Sequence, residues 1–171
     1  MKFKFSGFIL FVLLSTVGYS YATNLLVDDE LKCLALNIYH ESRGEGGVGM
    51  LSVGLVTLNR QQHIQFPDTI CQVVYQGRLG SVKPARLGSR VCQFSWYCDG
   101  KSDFPKNKAS WNDAYKIAAM LYFLKDYRTF DVTNSASHYH NLTVRPRWIK
   151  DKGMTFVKRI GKHRFYRWET R

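Results

Sequence analysis

The stretch LKCLALNIYHESRGE (residues 31–45) carries most of what can be read from this chain. Leu31, Leu34, Ala35 and Ile38 recur at i, i+3, i+4 and i+7, the spacing of one apolar stripe on an α-helix. Asp28, Asp29 and Glu30 precede them, acids that suit the positive end of a helix dipole. Gly44 ends the helix, with Gly46, Gly47 and Gly49 close behind. At about 100° per residue, Glu41 falls about 20° from Leu34 around the axis. It sits at the edge of the apolar stripe, one turn before the glycine break. Partial desolvation there raises a carboxyl pKa. A Glu poised near about pH 6 can protonate a leaving oxygen, the general-acid role in glycoside cleavage. The alternative is a surface Glu paired with Arg43 or Lys32.

Working outward, carboxylates are scarce: 13 Asp and Glu stand against 25 Lys and Arg in 171 residues, for a formal charge of +12. The only Glu residues are Glu30, Glu41, Glu45 and Glu169. Glu30 reads as a helix-start acid, Glu169 as part of the tail. Glu45 reads as a supporting group, or as a partner of the glycine-rich turn. With 45% hydrophobic and 15% aromatic residues, the chain is globular and not disordered. Its length fits one domain and leaves no room for a separate dinucleotide-binding domain.

The N-terminus reads as an export label. Lys2 and Lys4 precede the charge-free run Phe8 to Val17, and Ser20-Tyr21-Ala22 has the small-x-small pattern of a signal peptidase site. Cleavage after Ala22 leaves a single domain over 23–171 and, by removing Lys2 and Lys4, lowers the charge from +12 to +10. An uncleaved N-terminal anchor is the alternative. The run is shorter than a spanning helix needs, so no stable membrane span is expected after cleavage. Cys33, Cys71, Cys92 and Cys98 all follow the cleavage point. An even count in an oxidising compartment favours two disulfides; of the three possible pairings, Cys92–Cys98 with Cys33–Cys71 is preferred. C-x5-C is not the usual zinc-knuckle spacing.

Further along, helices are expected over about Val48 to Gln62, from Pro67-Asp68 through Val74 to Gly77, and from a Ser110 cap with Asp113 in capping-box spacing. The last carries a stripe of Trp111, Ala114, Ala118, Leu121 and Leu124. Gln76 to Lys108 lacks strong periodicity, and its cysteines and aromatics argue for a functional segment. After Asp131 the pattern turns to β: a short ASHYHN run, then Thr155–Ile160 and His163–Trp168 around Gly161-Lys162, a hairpin. Helices first and a small late sheet give an α+β fold, predominantly helical with a late antiparallel hairpin.

Other chemistries are weaker. His40-Glu41 lacks the second His of H-E-x-x-H, because position 44 is Gly. His138 and His140 alternate around Tyr139, so on a strand both would face one side, as an acid–base or metal pair; the alternative is one His hydrogen-bonded within the fold and one exposed. Trp96, Tyr97, Tyr139 and Trp148, near Gln93, Ser95, Asn141 and Arg145, suit a sugar-binding cleft, where rings stack on sugar faces.

Three ordered blocks resemble the SleB-like cell wall hydrolases, the spore-cortex-lytic type. Ala35 to Glu45 is similar to their A-x-x-x-Y-x-E-A-R-G-E block, with Ser42 in place of the common Ala. Cys92-Gln93-Phe94-Ser95-Trp96 with Cys98-Asp99-Gly100 resembles their Q-F-S block. Ser137 to Asn141, followed by Pro146, Trp148, Ile160-Gly161 and His163 to Tyr166, resembles the closing block. The blocks fall within 31–168.

The resemblance implies a lysozyme-like fold and cleavage of peptidoglycan between N-acetylmuramic acid and N-acetylglucosamine. Lytic transglycosylation is the expected chemistry. It implies Glu41 as general acid/base. Beside it, Arg43 and Glu45 are expected as positioning groups, and Gln93, Ser95, Trp96, Tyr139 and His140 along the substrate groove. No cofactor or metal is implied, and no separate wall-binding module is read. A monomer in the periplasm or outside the cell is expected, its positive charge suiting an anionic wall more than nucleic acid. A secreted basic ribonuclease using the His pair, or a non-catalytic glycan-binding domain using the aromatics, are the rival readings.

Overall fold

The computed structural model describes residues 27–77, 92–124 and 126–169. The expected export label, 1–22, lies outside the described residues, as does the 78–91 part of the aperiodic stretch.

Helix α1 (27–42) buries Leu31, Leu34, Ala35, Ile38 and Tyr39, so the expected stripe is its core face. A turn follows in which Gly44 and Gly46 take φ of +87° and +72°, a left-handed conformation that side chains disfavour. Helix α2 (Gly46–Gln61) starts immediately and is buried over most of its length, from Gly49 to Arg60. A helix apolar on nearly all sides belongs at the centre, and α2 packs against α3, α4 and the sheet. At Gly54 a Cβ would come within 2.9 Å of Ile38 Cδ1 and would also meet Leu121, so glycine lets α1 and α4 close onto α2.

Helix α3 (Ile70–Val74) is capped twice. The Thr69 hydroxyl accepts from the Gln72 N–H, and the Glu30 carboxylate accepts from the Ile70 N–H at 2.5 Å. Glu30 therefore caps the neighbouring helix as well as standing in the first turn of its own. The Cys33–Cys71 disulfide joins the same two helices.

Helix α4 (Lys108–Phe123) begins two residues before the expected Ser110 cap. Asn107 is the N-cap, its Oδ1 accepting from the Ser110 N–H. Asn outcompetes Ser here because its carbonyl reaches the third helical N–H while its backbone stays extended. Ala114, Ala118 and Leu121 face the core, whereas Leu124 lies past the helix end and is exposed.

The chain closes in a three-stranded antiparallel sheet of order β1-β3-β2, formed by β1 (His138–Asn141), β2 (Met154–Ile160) and β3 (His163–Trp168). The expected hairpin is β2–β3, with an irregularity between Phe156 and Lys158. Val56 of α2, Ala136 and Phe165 form the small core that seats the sheet on the helices. This is the expected α+β arrangement, mostly helical with a small late sheet.

Candidate active site

Glu41 is half-buried at the C-terminal end of α1. Its Oε2 accepts a hydrogen bond from the Tyr139 hydroxyl at 3.1 Å, reaching across 98 positions of sequence. Burial pushes the Glu41 carboxyl above its usual value, while the Tyr139 hydrogen bond and the nearby charge of Arg60 pull it partly back. Neither Arg43 nor Lys32 pairs with it. Arg43 turns the other way and donates to the Tyr39 hydroxyl at 3.1 Å.

Tyr139 is aimed by the end of α2. Asn59 Nδ2 donates to Asp131, Thr133 and the Ala136 carbonyl, and Arg60 Nε donates to the Ser137 carbonyl at 2.6 Å. These bonds fix the entry to β1, and strand alternation then directs Tyr139 toward the helices. Burial, helped by the adjacent Glu41, lifts the Tyr139 hydroxyl well above the usual phenol range. It stays a donor.

Arg60 is 5% exposed and is the feature that the sequence reading did not single out. Its guanidinium lies between the rings of Phe66 and Phe94, 5.2 and 4.9 Å from their centroids. Among the described residues its Nη1 has no hydrogen-bond partner. Burial lowers it to about 10, with Tyr139 and Glu41 opposing the shift. It remains charged at neutral pH. The signal was present: Arg60 falls on the Val53 and Val56 side of α2, a lone cation on an apolar face.

The loop closed by the Cys92–Cys98 disulfide supplies the opposite wall. Glu41, Arg60, Gln93, Phe94, Ser95 and Tyr139 line a cavity of about 140 Å³. The loop is held by a buried polar chain. Trp96 Nε1 donates to Asn37 Oδ1, Asn37 Nδ2 to the Thr57 hydroxyl, and that hydroxyl to the Val53 carbonyl. Each of its donor atoms has an acceptor.

Four of the expected residues thus meet around one cavity: Glu41, Gln93, Ser95 and Tyr139. The others stand elsewhere. Glu45 faces His163 Nδ1 at 3.1 Å and abuts Gly161, tying the start of α2 to the β-hairpin. Arg43 and Trp96 line a different cavity.

His140 is buried on the other face of the sheet from Tyr139. Its Nδ1 donates to the Asn141 carbonyl, and its Nε2 shares a hydrogen bond with the Tyr166 hydroxyl at 3.2 Å. With both nitrogens occupied, it takes no place in the groove. His138 shares its face, and burial lowers it to about 3, keeping it neutral. Strand alternation puts both histidines together, as expected, and for that reason away from Glu41. Among the described residues no three His, Cys, Asp or Glu side chains converge as a metal site, and no helix is long and apolar enough to cross a membrane.

Residues 44–166 match the family model described as Cell Wall Hydrolase. The chain belongs to that family. The cell wall hydrolase match begins three residues after Glu41, on the glycine turn, and runs to the middle of β3. Among curated proteins, the chain is similar to the spore cortex-lytic enzymes of Bacillus cereus (28% identical over 138 residues, 80% of this chain and 44% of that protein) and of Halalkalibacterium halodurans (27% over 139 residues, 81% and 34%). It spans less than half the length of these relatives.

Two solved structures share the fold. One is the catalytic domain of the germination-specific lytic transglycosylase SleB from Bacillus anthracis, with TM-score 0.56, 26% identity, and coverage of 81% of this chain and 93% of that one. The other is the catalytic domain of the B. cereus SleB protein, with TM-score 0.57, 25% identity, and coverage of 82% and 91%. This cell wall hydrolase therefore has the SleB catalytic-domain fold.

Proposed function

We propose that this protein cleaves peptidoglycan glycan strands between N-acetylmuramic acid and N-acetylglucosamine, as a lytic transglycosylase with Glu41 as its one acid/base. The supporting observation is the Glu41 cavity itself. It holds a half-buried carboxyl with a raised pKa, and no second carboxylate lines it among the described residues. Two-carboxylate glycosidases need a partner acid at a defined separation. The other Glu of the same turn, Glu45, lies beside His163 Nδ1 at 3.1 Å and outside that cavity.

Tyr139 occupies Oε2, which leaves Oε1 to hold the proton. Glu41 gives that proton to the glycosidic O4 as the C1–O4 bond breaks. The resulting carboxylate is stabilised by the Tyr139 hydroxyl and by the Arg60 charge. It then takes the proton of the sugar's own 6-hydroxyl, whose oxygen closes onto C1 as a 1,6-anhydro ring. Glu41 returns to its starting state and no water is consumed. Gln93 and Ser95 offer hydrogen bonds to the sugar.

The family match and the likeness to proteins described as cortex-lytic enzymes and as a lytic transglycosylase support this reading. The two disulfides support an exported protein, periplasmic or extracellular. Digestion of purified sacculi by wild type and Glu41→Gln tests the proposal. Wild type is expected to release anhydro-ended fragments by mass spectrometry, and the variant none. Full activity in Glu41→Gln would sink it, and reducing ends in place of anhydro ends would replace transglycosylation with hydrolysis.

A further inference from the structure

A second cavity, of about 260 Å³, opens beside the first at the same end of α1. His40 and Arg43, which bracket Glu41 in sequence, line it. Trp96 lines it too, next in the chain to Ser95 of the Glu41 cavity, and the loop from Asp99 to Lys106, with Asp103 and Phe104 between them, supplies the rest.

Its floor is held in place. The His40 ring stacks on Trp96, with centroids 4.5 Å apart and planes 15° from parallel, and its Nε2 donates to the Asp103 carbonyl at 3.0 Å. The Tyr39 hydroxyl accepts from the Asn107 N–H and from Arg43, both at 3.1 Å, pinning the far end of the loop to α1.

The charges around this floor are of both signs, and only some of them are paired. Lys101 pairs with Asp99 at 3.5 Å. Among the described residues, the Arg43 side chain donates to the Tyr39 hydroxyl, lies by its ring, and forms no ion pair. The side chains of Lys106 and Asp103 form no ion pair among the described residues, and Phe104 stands 75% exposed beside them. Solvated loop charges would need neither a stacked, hydrogen-bonded floor nor a concave arrangement. With Lys101 and Asp99 paired, the remaining cations Arg43 and Lys106 and the carboxylate of Asp103 around one concavity fit a ligand that carries both signs.

We propose that this cavity binds the short zwitterionic peptide that branches from the wall glycan, so that the protein reads peptide and sugar together. Arg43 and Lys106 take its carboxylates, Asp103 takes the free ammonium of its diamino acid, and Phe104 covers its alanine methyls. The proposal rests on the glycan-cleaving reading of Glu41 for bringing such a peptide to this place.

The probe is the free tetrapeptide L-alanyl-γ-D-glutamyl-diaminopimelyl-D-alanine, titrated into the Glu41→Gln protein. Trp96 fluorescence and the His40 ring resonances report on the floor. Saturable binding that perturbs both is expected. Lys106→Glu should weaken it about two- to fivefold, the size of one exposed charge contact, and so should Asp103→Lys. Phe104→Ala, an exposed position whose loss leaves the core intact, should weaken it less.

In a Glu41-intact background, the rate ratio between stem-bearing sacculi and sacculi stripped of peptides by an amidase should fall several-fold in Lys106→Glu. Absence of binding, or equal binding by all variants, overturns the proposal. The two readings fail separately. Equal cutting of stemmed and stripped glycan by wild type would sink the peptide site and leave Glu41 as the acid. Peptide binding by a wild type that leaves sacculi uncut would keep the site and sink the glycan reading.

Discussion

Tyr139 donates to one oxygen of Glu41, and that single contact sets much of the site's behaviour. Tyr139→Phe removes a hydrogen bond to a group that becomes charged during turnover, worth about 1.5–3 kcal/mol. The rate on sacculi should fall about 10- to 100-fold, and the alkaline limb of the pH–rate profile should move upward, because Glu41 loses a group that lowers its pKa. An unchanged limb would show that Tyr139 only packs. Glu41 also marks stability. Its folded pKa is raised, so the folded state holds the proton more tightly than the unfolded chain. Stability is then free of this penalty below the ordinary carboxyl pKa of about 4.3 and declines as pH rises through the folded value. Glu41→Gln should therefore be inactive yet melt higher than wild type at pH 7 to 8, with the gap closing near about pH 4. A variant that melts lower at neutral pH would contradict the buried-acid description.

Elements place these residues. Helix α2 is the post on which the site is built: Gly54 lets α1 and α4 approach, Asn59 and Arg60 hold the entry to β1, and Val56 carries the sheet. Gly54→Val should push α1 and α4 outward and cost about 1–3 kcal/mol, the usual range for overpacking. Chemical denaturation would measure it, and a neutral result would mean that Ile38 and Leu121 repack freely. The Cys92–Cys98 loop contributes differently. Its short span constrains the unfolded chain by only about 2 kcal/mol, but it carries Gln93, Phe94 and Ser95 onto the Glu41 cavity. Cys92→Ser with Cys98→Ser should lose activity out of proportion to its melting temperature. Matched, small losses in both would show that the Trp96–Asn37–Thr57 chain suffices to hold the loop.

At the scale of the whole molecule the charge is unevenly spread. Residues 142–168 hold nine Lys and Arg against Asp151 alone, so most of the +12 sits on the late sheet and the turns before it. Exposed charges act over roughly a Debye length of about 8–10 Å at physiological salt. Binding of the Glu41→Gln protein to sacculi should weaken steeply as salt rises to about 0.5 M. Charge reversal at Lys158 and Arg159, both exposed on β2, should flatten that dependence. A salt-independent affinity would assign wall binding to the cavities alone.

By itself, the sequence determined the helical stripe of residues 31–38, the glycine turn, the late hairpin and the isolation of Glu41. These depend on periodicity, on glycine's access to positive φ, and on simple scarcity of carboxylates, all local or compositional properties. Helix ends were legible only to within two residues, because Asn107 and Ser110 are both acceptable caps and only the loop's path from Tyr39 to Asn107 chooses between them. The tertiary structure alone decided which groups meet. Strand alternation put His138 and His140 on one face, but the packing of Phe165 and Val56 determined that Tyr139, and not the histidines, faces Glu41. Arg60 enters the site because α2 is buried on nearly all sides, so a cation on it is enclosed by rings and a carbonyl, close to the Glu41 carboxylate. Such long-range encounters depend on how faces are stacked, which no local pattern of residues encodes.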